Sequence, residues 1–257
     1  MTRLRAEGLT LGYDDRTVVD KLDVTVLDHK ITAIVGANAC GKSTLLRGLA
    51  RLLPSRGGSV LLDGKALADM RTADVAKVLG LLPQTPVAPD GITVADLVSR
   101  GRYPHQGWFR RWTEQDHDAV ARALDATGTA DLIDRPIRQL SGGQRQRVWV
   151  AMALAQDTDL LLLDEPTTYL DINHQVELLR LLRKLNAESG KTIVIVLHDL
   201  NLACRYSDHL IAMADGNIVA EGAPGDVVTA ELVEKVFGLR CLIVADPIAG
   251  TPMIVPA

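Results

Sequence analysis

Gly36-Ala37-Asn38-Ala39-Cys40-Gly41-Lys42-Ser43 is the stretch that decides the fold, because it matches the pattern G-x-x-x-x-G-K-[ST]. It follows an apolar, β-branched run at residues 31–35 and leads into a stretch of helical character at residues 43–53. In a strand–loop–helix of this kind, backbone N–H groups of the loop and first helical turn converge on phosphate oxygens, reinforced by the helix dipole. The pattern assigns Lys42 to the β- and γ-phosphates and the Ser43 hydroxyl to Mg²⁺. A chance glycine-rich turn is the alternative for the motif alone, and the flanking strand and helix favour nucleotide binding.

The composition sets limits on the class of protein. The chain has 257 residues, which is enough for one large domain or two small ones. Its 28 Lys+Arg against 32 Asp+Glu give a net charge of −4, so no overall basic field attracts nucleic acid. Cys40, Cys204 and Cys241 are widely spaced, which predicts reduced thiols in a cytosolic protein rather than a disulfide frame or a zinc site. The sequence shows neither an apolar signal core nor a run of membrane-spanning length, so we expect membrane association only through a partner.

The periodicity along the chain predicts an α/β protein. Residues 3–9 and 22–26 have the pattern of antiparallel strands joined by a turn at residues 12–15, and residues 59–62 form a strand that Asp63-Gly64 closes as a hairpin. Further strands are predicted at residues 78–82, 160–163, 193–197 and 210–213, with helices at about residues 173–189 and 200–206. Parallel strands linked by helices are typical of a nucleotide-binding core.

One part of the chain departs from this alternation. At about residues 86–157 the apolar residues recur at intervals of three and four, which predicts helices only. The sequence therefore predicts one domain over residues 1–257, with a core at about 1–85 and 158–257 and an inserted helical subdomain at about 86–157.

Two carboxylates follow the apolar run at residues 160–163. Asp164, at the strand end, is placed to hold Mg²⁺ through water, and Glu165, one residue further, is placed to polarise an attacking water. A helix cap or a solvated turn is the alternative for an isolated acidic pair. The phosphate-loop motif upstream favours the catalytic interpretation.

A second helix start also has the character of an anion site. Leu140-Ser141-Gly142-Gly143-Gln144 begins a helical stretch with small, glycine-rich residues. Because Lys42 already accounts for the γ-phosphate, a second phosphate-binding helix start needs an explanation. At this point the sequence resembles the ATPase subunits of ABC transporters, whose signature motif is Leu-Ser-Gly-Gly-Gln, and the resemblance covers nearly the whole chain.

The resemblance implies roles for further residues. Tyr13 matches the aromatic residue that stacks on adenine, and Gln84 matches the Q-loop residue that senses Mg²⁺ and water. Asp171 matches the D-loop aspartate, and His198 matches the switch histidine that contacts the γ-phosphate. Taken singly, Tyr13, Gln84 and His198 have structural alternatives as a turn aromatic, a solvated loop residue and a capped core histidine.

The resemblance also implies a pairing of subunits. Two copies are expected to associate head to tail on ATP, so that Ser141, Gly142, Gly143 and Gln144 of each close on the nucleotide held by the other. The nucleotide-binding set would be Tyr13, Gly36, Ala37, Asn38, Ala39, Cys40, Gly41, Lys42, Ser43 and Thr44, with Ser43, Gln84 and Asp164 at the metal. Glu165 and His198 would be catalytic.

Two loop positions depart from the family pattern, since many members have Pro where Ala37 stands and Gly where Ala39 stands. Ala39 lacks the freedom of glycine at positive φ, so we expect it to adopt a conformation open to L-residues. Cys40 is a candidate reactive thiol at a helix N-terminus.

Several stretches resemble the importer ATPases for ferric siderophores, with haem and vitamin B12 importers as near relatives. They are residues 101–106, 165–172, 197–201 and 246–253. The resemblance implies an ATPase on the cytoplasmic side of the cell membrane, peripheral to integral permease subunits and served indirectly by a substrate-binding protein. The alternative is an ABC ATPase without a transport role.

The predicted helical subdomain carries a cluster of aromatic and arginine residues: Tyr103, Trp108, Phe109 and Trp112, interleaved with Arg100, Arg102, Arg110 and Arg111. Aromatic and arginine side chains are favoured at the centres of protein interfaces, so a permease-docking surface is the leading interpretation. Local packing with a solvated charged rim, and stacking on single-stranded nucleic acid, are the alternatives.

Overall fold

A computed structural model of the chain describes residues 3–106 and 112–257. The strands of this part are β1 (Leu4–Tyr13), β2 (Arg16–Val26), β3 (Ile31–Gly36), β4 (Gly57–Leu62), β5 (Lys65–Ala66), β6 (Leu79–Leu82), β7 (Leu160–Asp164), β8 (Thr192–Val196), β9 (His209–Ala214), β10 (Asn217–Gly222), β11 (Cys241–Ala245) and β12 (Pro252–Pro256). The α-helices are α1 (Lys42–Leu49), α2 (Thr72–Ala76), α3 (Val94–Ser99), α4 (Glu114–Ala126), α5 (Gly142–Ala155), α6 (Ile172–Ser189), α7 (Leu200–Tyr206), α8 (Pro224–Val227) and α9 (Ala230–Phe237). Short 3₁₀ turns lie at Leu67–Asp69, Arg100–His105, Ala130–Leu132 and Ile137–Gln139.

The chain divides into two compact units, and the first comprises Met1–Met70 and Thr192–Ala257. One sheet in this unit is antiparallel, in the order β2-β1-β4-β5. The other runs β10-β9-β3-β8, with β3 parallel to both β8 and β9. Every residue of β3 and β8 is buried, as expected of strands whose two faces are both covered. The predicted antiparallel strands and parallel core strands of this unit are confirmed.

The second unit, Arg71–Lys191, contains a parallel pair of strands and most of the helices. β6 pairs with β7 in a register that sets Leu82 opposite Leu163. Helices α3, α4 and α5 lie between these strands in the chain, and α5 packs against both α3 and α4. On α5 the side chains of Val148, Val150 and Ala151 are fully buried, which matches the predicted apolar spacing.

Helix α1 is shorter than the sequence predicts. We expected helix through residue 53, but α1 ends at Leu49. Arg51 lies in the left-handed region at φ 59°, and the N–H groups of Leu52 and Leu53 both donate to the Arg47 carbonyl. Pro54 disfavours helical geometry at the residue before it, so the apolar Leu52-Leu53 pair does not extend the helix. None of the described helices combines the length and apolar character needed to cross a membrane.

Candidate functional site

The loop from Gly36 to Gly41 joins the buried strand β3 to α1, as the motif predicts. A Cβ on Gly36 would lie 2.3 Å from the Met213 carbonyl oxygen and 2.7 Å from the Cys40 Sγ, so only glycine fits there. Gly41 has φ 106° and precedes the first helical residue, Lys42. The loop therefore passes close to β9 and presents the N-terminal end of α1.

Lys42 lies inside this loop. Its side chain is buried, and its Nζ donates to the carbonyl oxygens of Gly36 at 2.9 Å and Ala37 at 2.8 Å. A buried ammonium at the start of a helix adds to the positive potential of the helix dipole, and this potential favours an anion. The loop therefore has the charge and the backbone geometry that a polyphosphate requires. Ser43 and Thr44 follow in the first turn, and Thr44 is buried.

Ala39 is in the left-handed region, with φ 61°. The conformation open to L-residues that we expect for Ala39 is therefore one at positive φ. The left-handed well is the small region of positive φ that L-residues do enter, at a cost of about 1–2 kcal/mol. Ala37, Asn38 and Ala39 are exposed, whereas the Cys40 thiol is buried, which disfavours its reaction with bulky reagents in this conformation.

Tyr13 lies at the end of β1 with 41% of its surface exposed. Its hydroxyl accepts a hydrogen bond from Arg47 Nη1 at 3.2 Å, and Arg47 is a residue of α1. Sequence reasoning missed this bond, which fixes the phenol end relative to the helix after the phosphate loop. The residue is thus held at its hydroxyl and otherwise partly exposed.

His198 follows the buried strand β8 and is exposed. The next residue, Asp199, caps α7 by accepting a hydrogen bond from the Leu202 N–H at 2.9 Å. The predicted switch histidine therefore stands between a buried strand and a capped helix. All these residues, from Tyr13 and the loop to His198, belong to the first unit.

In the second unit, Asp164 is the last residue of β7 and is 1% exposed. Glu165 follows it in the left-handed region at φ 52° and is also buried. Its Oε2 accepts a hydrogen bond from Gln84 Nε2 at 2.7 Å, and Thr168 Oγ1 lies at 3.5 Å from the same oxygen. The sequence predicted roles for Gln84 and Glu165 separately but not their contact.

The parallel register explains this contact. Gln84 comes two residues after Leu82, Glu165 comes two residues after Leu163, and Leu82 pairs with Leu163. Carboxyl ends of neighbouring parallel strands share one edge of the sheet, where polar ligand sites form. Pairing the two predicted strands in parallel would have placed Gln84 beside Glu165.

The predicted signature residues start α5. Ser141 and Gln144 form a reciprocal capping box: Gln144 N–H donates to Ser141 Oγ at 3.2 Å, and Ser141 N–H donates to Gln144 Oε1 at 3.1 Å. A Cβ on Gly142 or Gly143 would meet nothing within the chain closer than 3.5 Å or 3.6 Å, respectively. Packing within this unit therefore does not require glycine at either position, because a Cβ would make only ordinary contacts with Tyr169 and Leu170.

Asp171 has a local structural role that sequence reasoning missed. It caps α6, accepting from the His174 backbone N–H at 2.9 Å, and its carboxylate also lies 2.8 Å from His174 Nδ1. The backbone hydrogen bond from His174, together with its side chain, lowers the pKa of Asp171 below its ordinary value. The carboxylate is exposed.

The aromatic–arginine cluster is only partly described, because Trp108, Phe109, Arg110 and Arg111 lie outside the described residues. Tyr103 is 58% exposed and Trp112 is 38% exposed, and the Trp112 ring lies 5.2 Å from the ring of His117. Arg102 is buried and cannot belong to an exposed docking surface. Its Nε donates to Asp116 Oδ1 at 2.9 Å, and its Nη1 donates to the Ala155 carbonyl at 2.9 Å.

The phosphate loop, the two carboxylates after β7 and the capped glycine helix start together define a nucleotide-hydrolysing cassette. The chain belongs to the ABC transporter family: the family model described as ABC transporter matches residues 19–168. It is an ABC-type ATPase of this family, with the α/β core and the helical subdomain of such cassettes.

Relatives of known name match the chain from end to end. It is 56% identical over 256 residues to the ferric enterobactin transport ATP-binding protein FepC of Escherichia coli (strain K12), covering 100% of this chain and 94% of the relative. It is 53% identical to the achromobactin transport ATP-binding protein CbrD of Dickeya dadantii (strain 3937), covering 100% and 95%.

Solved structures show the same fold. An inward-facing conformation of a metal-chelate type ABC transporter superposes with a TM-score of 0.84 at 27% identity, covering 100% of this chain and 98% of that one. A dimeric bacterial ABC transporter cassette superposes with a TM-score of 0.78 at 26% identity, covering 86% and 98%.

Proposed function

We propose that this chain is the ATP-hydrolysing subunit that powers import of a ferric siderophore through a membrane permease. The observation that carries the proposal is the end-to-end identity of 56% to a ferric enterobactin transport ATP-binding protein. The match to an achromobactin transport protein supports the same substrate class. A haem or vitamin B12 importer ATPase, or an ABC ATPase without a transport role, is the alternative.

ATP binding is assigned to the first unit. Tyr13 stacks on the adenine, and residues 36–44 hold the phosphates through their N–H groups. The supporting observation is the buried Lys42 ammonium, which contacts two neutral carbonyl oxygens at the start of α1. A cation in this place is stabilised by an anion, and the triphosphate is the anion of the family. His198 contacts the γ-phosphate.

The metal and the catalytic water are assigned to residues of oxygen-donor type. The Ser43 hydroxyl, the Gln84 amide and, through water, the Asp164 carboxylate are hard ligands of the kind Mg²⁺ takes. When bound, Mg²⁺ neutralises charge on the β- and γ-phosphate oxygens. Glu165 accepts a proton from the attacking water as general base.

The signature residues Ser141, Gly142, Gly143 and Gln144 serve a second copy of the chain. The supporting observation is that packing within the unit does not require glycine at either position, since a Cβ there would only make ordinary contacts at 3.5–3.6 Å with Tyr169 and Leu170. A solved cassette of the same fold is dimeric. ATP therefore joins two subunits head to tail, and Asp171 stands at the D-loop position of the shared interface.

Coupling to the permease is assigned to the cluster around Tyr103 and Trp112, whose exposed aromatic surface supports docking. The subunit is peripheral, on the cytoplasmic face of the membrane. Its permease takes substrate from a binding protein. We do not propose nucleic acid as a partner.

Uptake by cells lacking this gene tests the function. We expect loss of ferric siderophore uptake, with haem and cobalamin uptake unchanged. Wild-type protein restores uptake, and Lys42→Ala does not. Loss of haem or cobalamin uptake alone would show that the chain serves a haem or vitamin B12 importer. Normal uptake of all three would show a role outside transport.

The docking surface needs its own test. Replacing Trp108 and Phe109 by Ala should leave the ATP affinity of the purified subunit unchanged while reducing siderophore uptake. The control is Val87→Ala, a change at an exposed apolar side chain of this unit outside the cluster. Normal uptake by the double variant would assign the cluster to local packing.

A further inference from the structure

Helix α7 begins two residues after His198 and is only seven residues long. A helix of this length is not stable alone, so its position depends on what packs against it. On one side Ala203 and Cys204 are fully buried, and α7 contacts β3. The placement of His198 therefore depends on whatever holds the rest of α7.

The hairpin of β11 and β12 holds α7 through the side chain of Asn201. Ile254 N–H donates to Asn201 Oδ1 at 2.7 Å, and Asn201 Nδ2 donates to the Ile254 carbonyl at 3.3 Å. Ile254 lies on β12, opposite Ile243 of β11. The amide thus pairs with both backbone groups of one strand residue, as a neighbouring strand would.

The turn of the hairpin holds α7 a second time, through Arg205. Asp246 is 5% exposed, and its Oδ2 accepts from Arg205 Nε at 2.7 Å and from Arg205 Nη2. Its other oxygen, Oδ1, accepts from the N–H groups of Ile248 at 2.8 Å and Ala249 at 3.1 Å. One carboxylate therefore closes the turn and binds the helix.

We propose that the carboxyl-terminal hairpin is a clamp that positions His198, with Asn201 and Arg205 as positioning residues for ATP hydrolysis. The two side chains are four residues apart and so lie on one face of α7. They attach to two different parts of the hairpin, a strand and the turn, which restrains both translation and rotation of the helix. His198 comes three residues before Asn201, so a shift of α7 moves the histidine. This inference rests on the proposed contact of His198 with the γ-phosphate.

The clamp is tested with the purified full-length chain, comparing Asn201→Ala with the control Leu242→Ala. Leu242 is 66% exposed on the same hairpin and outside the clamp. We expect Asn201→Ala to lower kcat by on the order of tenfold, since small misplacements of catalytic groups are costly. KM for ATP should change less than kcat. Asn201→Asp keeps the acceptor for the Ile254 N–H and should restore part of the rate, and Leu242→Ala should match wild type.

Combining each variant with His198→Ala separates this inference from the proposed function. If His198→Ala hydrolyses ATP at the wild-type rate, the proposed role of His198 fails. If His198→Ala is impaired and Asn201→Ala costs the same factor in both backgrounds, the clamp fails, because its effect then does not pass through His198. The expected result is that Asn201→Ala has no further effect in the His198→Ala background.

A spectroscopic measurement decides the case where His198→Ala has no measurable rate. The imidazole Hε1 resonance of His198, assigned by its absence from His198→Ala, reports the local environment of the ring. We expect it to shift or split in Asn201→Ala and to stay in place in Leu242→Ala. An unchanged resonance in Asn201→Ala would overturn the clamp.

Discussion

Gln84 Nε2 donates a hydrogen bond to Glu165 Oε2 at 2.7 Å, and Glu165 has φ 52°. The proposed metal-sensing amide and the proposed general base are therefore in direct contact in this conformation. A carboxylate oxygen that accepts from an amide is less able to accept a proton from water. We therefore expect Glu165 to be a stronger base when Gln84 turns away from it.

Glu165→Gln tests the general base. We expect ATP binding to persist and hydrolysis to fall by on the order of 10²-fold or more, since an amide cannot accept the proton. Because bound ATP is then not consumed, the closed dimer should accumulate. Phosphate release and size-exclusion chromatography with and without ATP and Mg²⁺ measure the two effects. Hydrolysis at the wild-type rate would remove Glu165 from this role.

A shared site predicts complementation between two inactive variants. Lys42→Ala removes the buried ammonium from a subunit's own loop, whereas Ser141→Arg places a bulky cation where the partner's nucleotide should approach. A mixture of the two should regain hydrolysis, because each heterodimer contains one site with an intact loop and an intact signature.

The control for Ser141→Arg is Thr229→Arg, which removes the side-chain cap of α9 in the same way. Loss of a cap costs about 1 kcal/mol in either helix. Only Ser141→Arg should abolish hydrolysis, and the melting temperatures of the two variants should be similar. Full activity of either Lys42→Ala or Ser141→Arg alone, as a monomer at high dilution, would contradict the shared site.

The phosphate loop, the parallel strands and the capped helices were predictable because each depends on local sequence. Gly36 and Lys42 belong to one short pattern, and buried strands such as β8 are continuous apolar runs. The Gln84–Glu165 contact was not predicted, since it depends on the register that pairs Leu82 with Leu163.

The carboxyl-terminal hairpin makes a second contact that the sequence did not predict. Residues 246–253 resembled importer ATPases, but the spacing gave no reason to pair them with α7. The attachment depends on Asn201 and Arg205, which in the sequence look like polar residues of an exposed helix face. Its partners, Asp246 and Ile254, lie 41 and 53 residues away. Side-chain hydrogen bonds over such separations leave no periodic signal.

The left-handed conformation of Ala39 predicts how the loop responds to substitution. Ala39→Val should destabilise the protein by about 1–3 kcal/mol and weaken ATP binding, because a β-branched residue is strained at positive φ. Ala39→Gly should stay within about 1 kcal/mol of wild type, since relief of strain is offset by the added freedom of the unfolded chain. Thermal melts and nucleotide titrations measure both.

The matched control for Ala39→Val is Ala37→Val. Ala37 is also exposed but is not among the described residues with positive φ. It should tolerate valine with a smaller loss of stability. Equal losses at the two positions would show that side-chain bulk, rather than backbone conformation, limits the loop.

The buried ion pair of Arg102 and Asp116 predicts an acid-sensitive helical region. Arg102→Met should lower the free energy of unfolding by about 3–5 kcal/mol at neutral pH, because Asp116 is left buried without its cation. The control is Arg3→Met, which breaks the more exposed pair with Asp63 and should cost at most about 1 kcal/mol. Urea unfolding of the three proteins measures the difference.

The pH dependence of this loss follows from the pKa of Asp116. Burial opposes its ionisation, but hydrogen bonds from Thr113 and Arg102 outweigh burial and lower the pKa from 3.8 to about 2. A carboxyl whose pKa is lowered by folding stabilises the protein above its unfolded pKa and loses that contribution as pH falls through the folded value. Wild type should therefore lose stability between about pH 4 and pH 2. The Arg102→Met variant should lose less stability over this range, because without the arginine the pKa of its folded Asp116 is lowered less. If the two proteins lose the same stability over this range, the ion pair does not hold the carboxylate in its charged form.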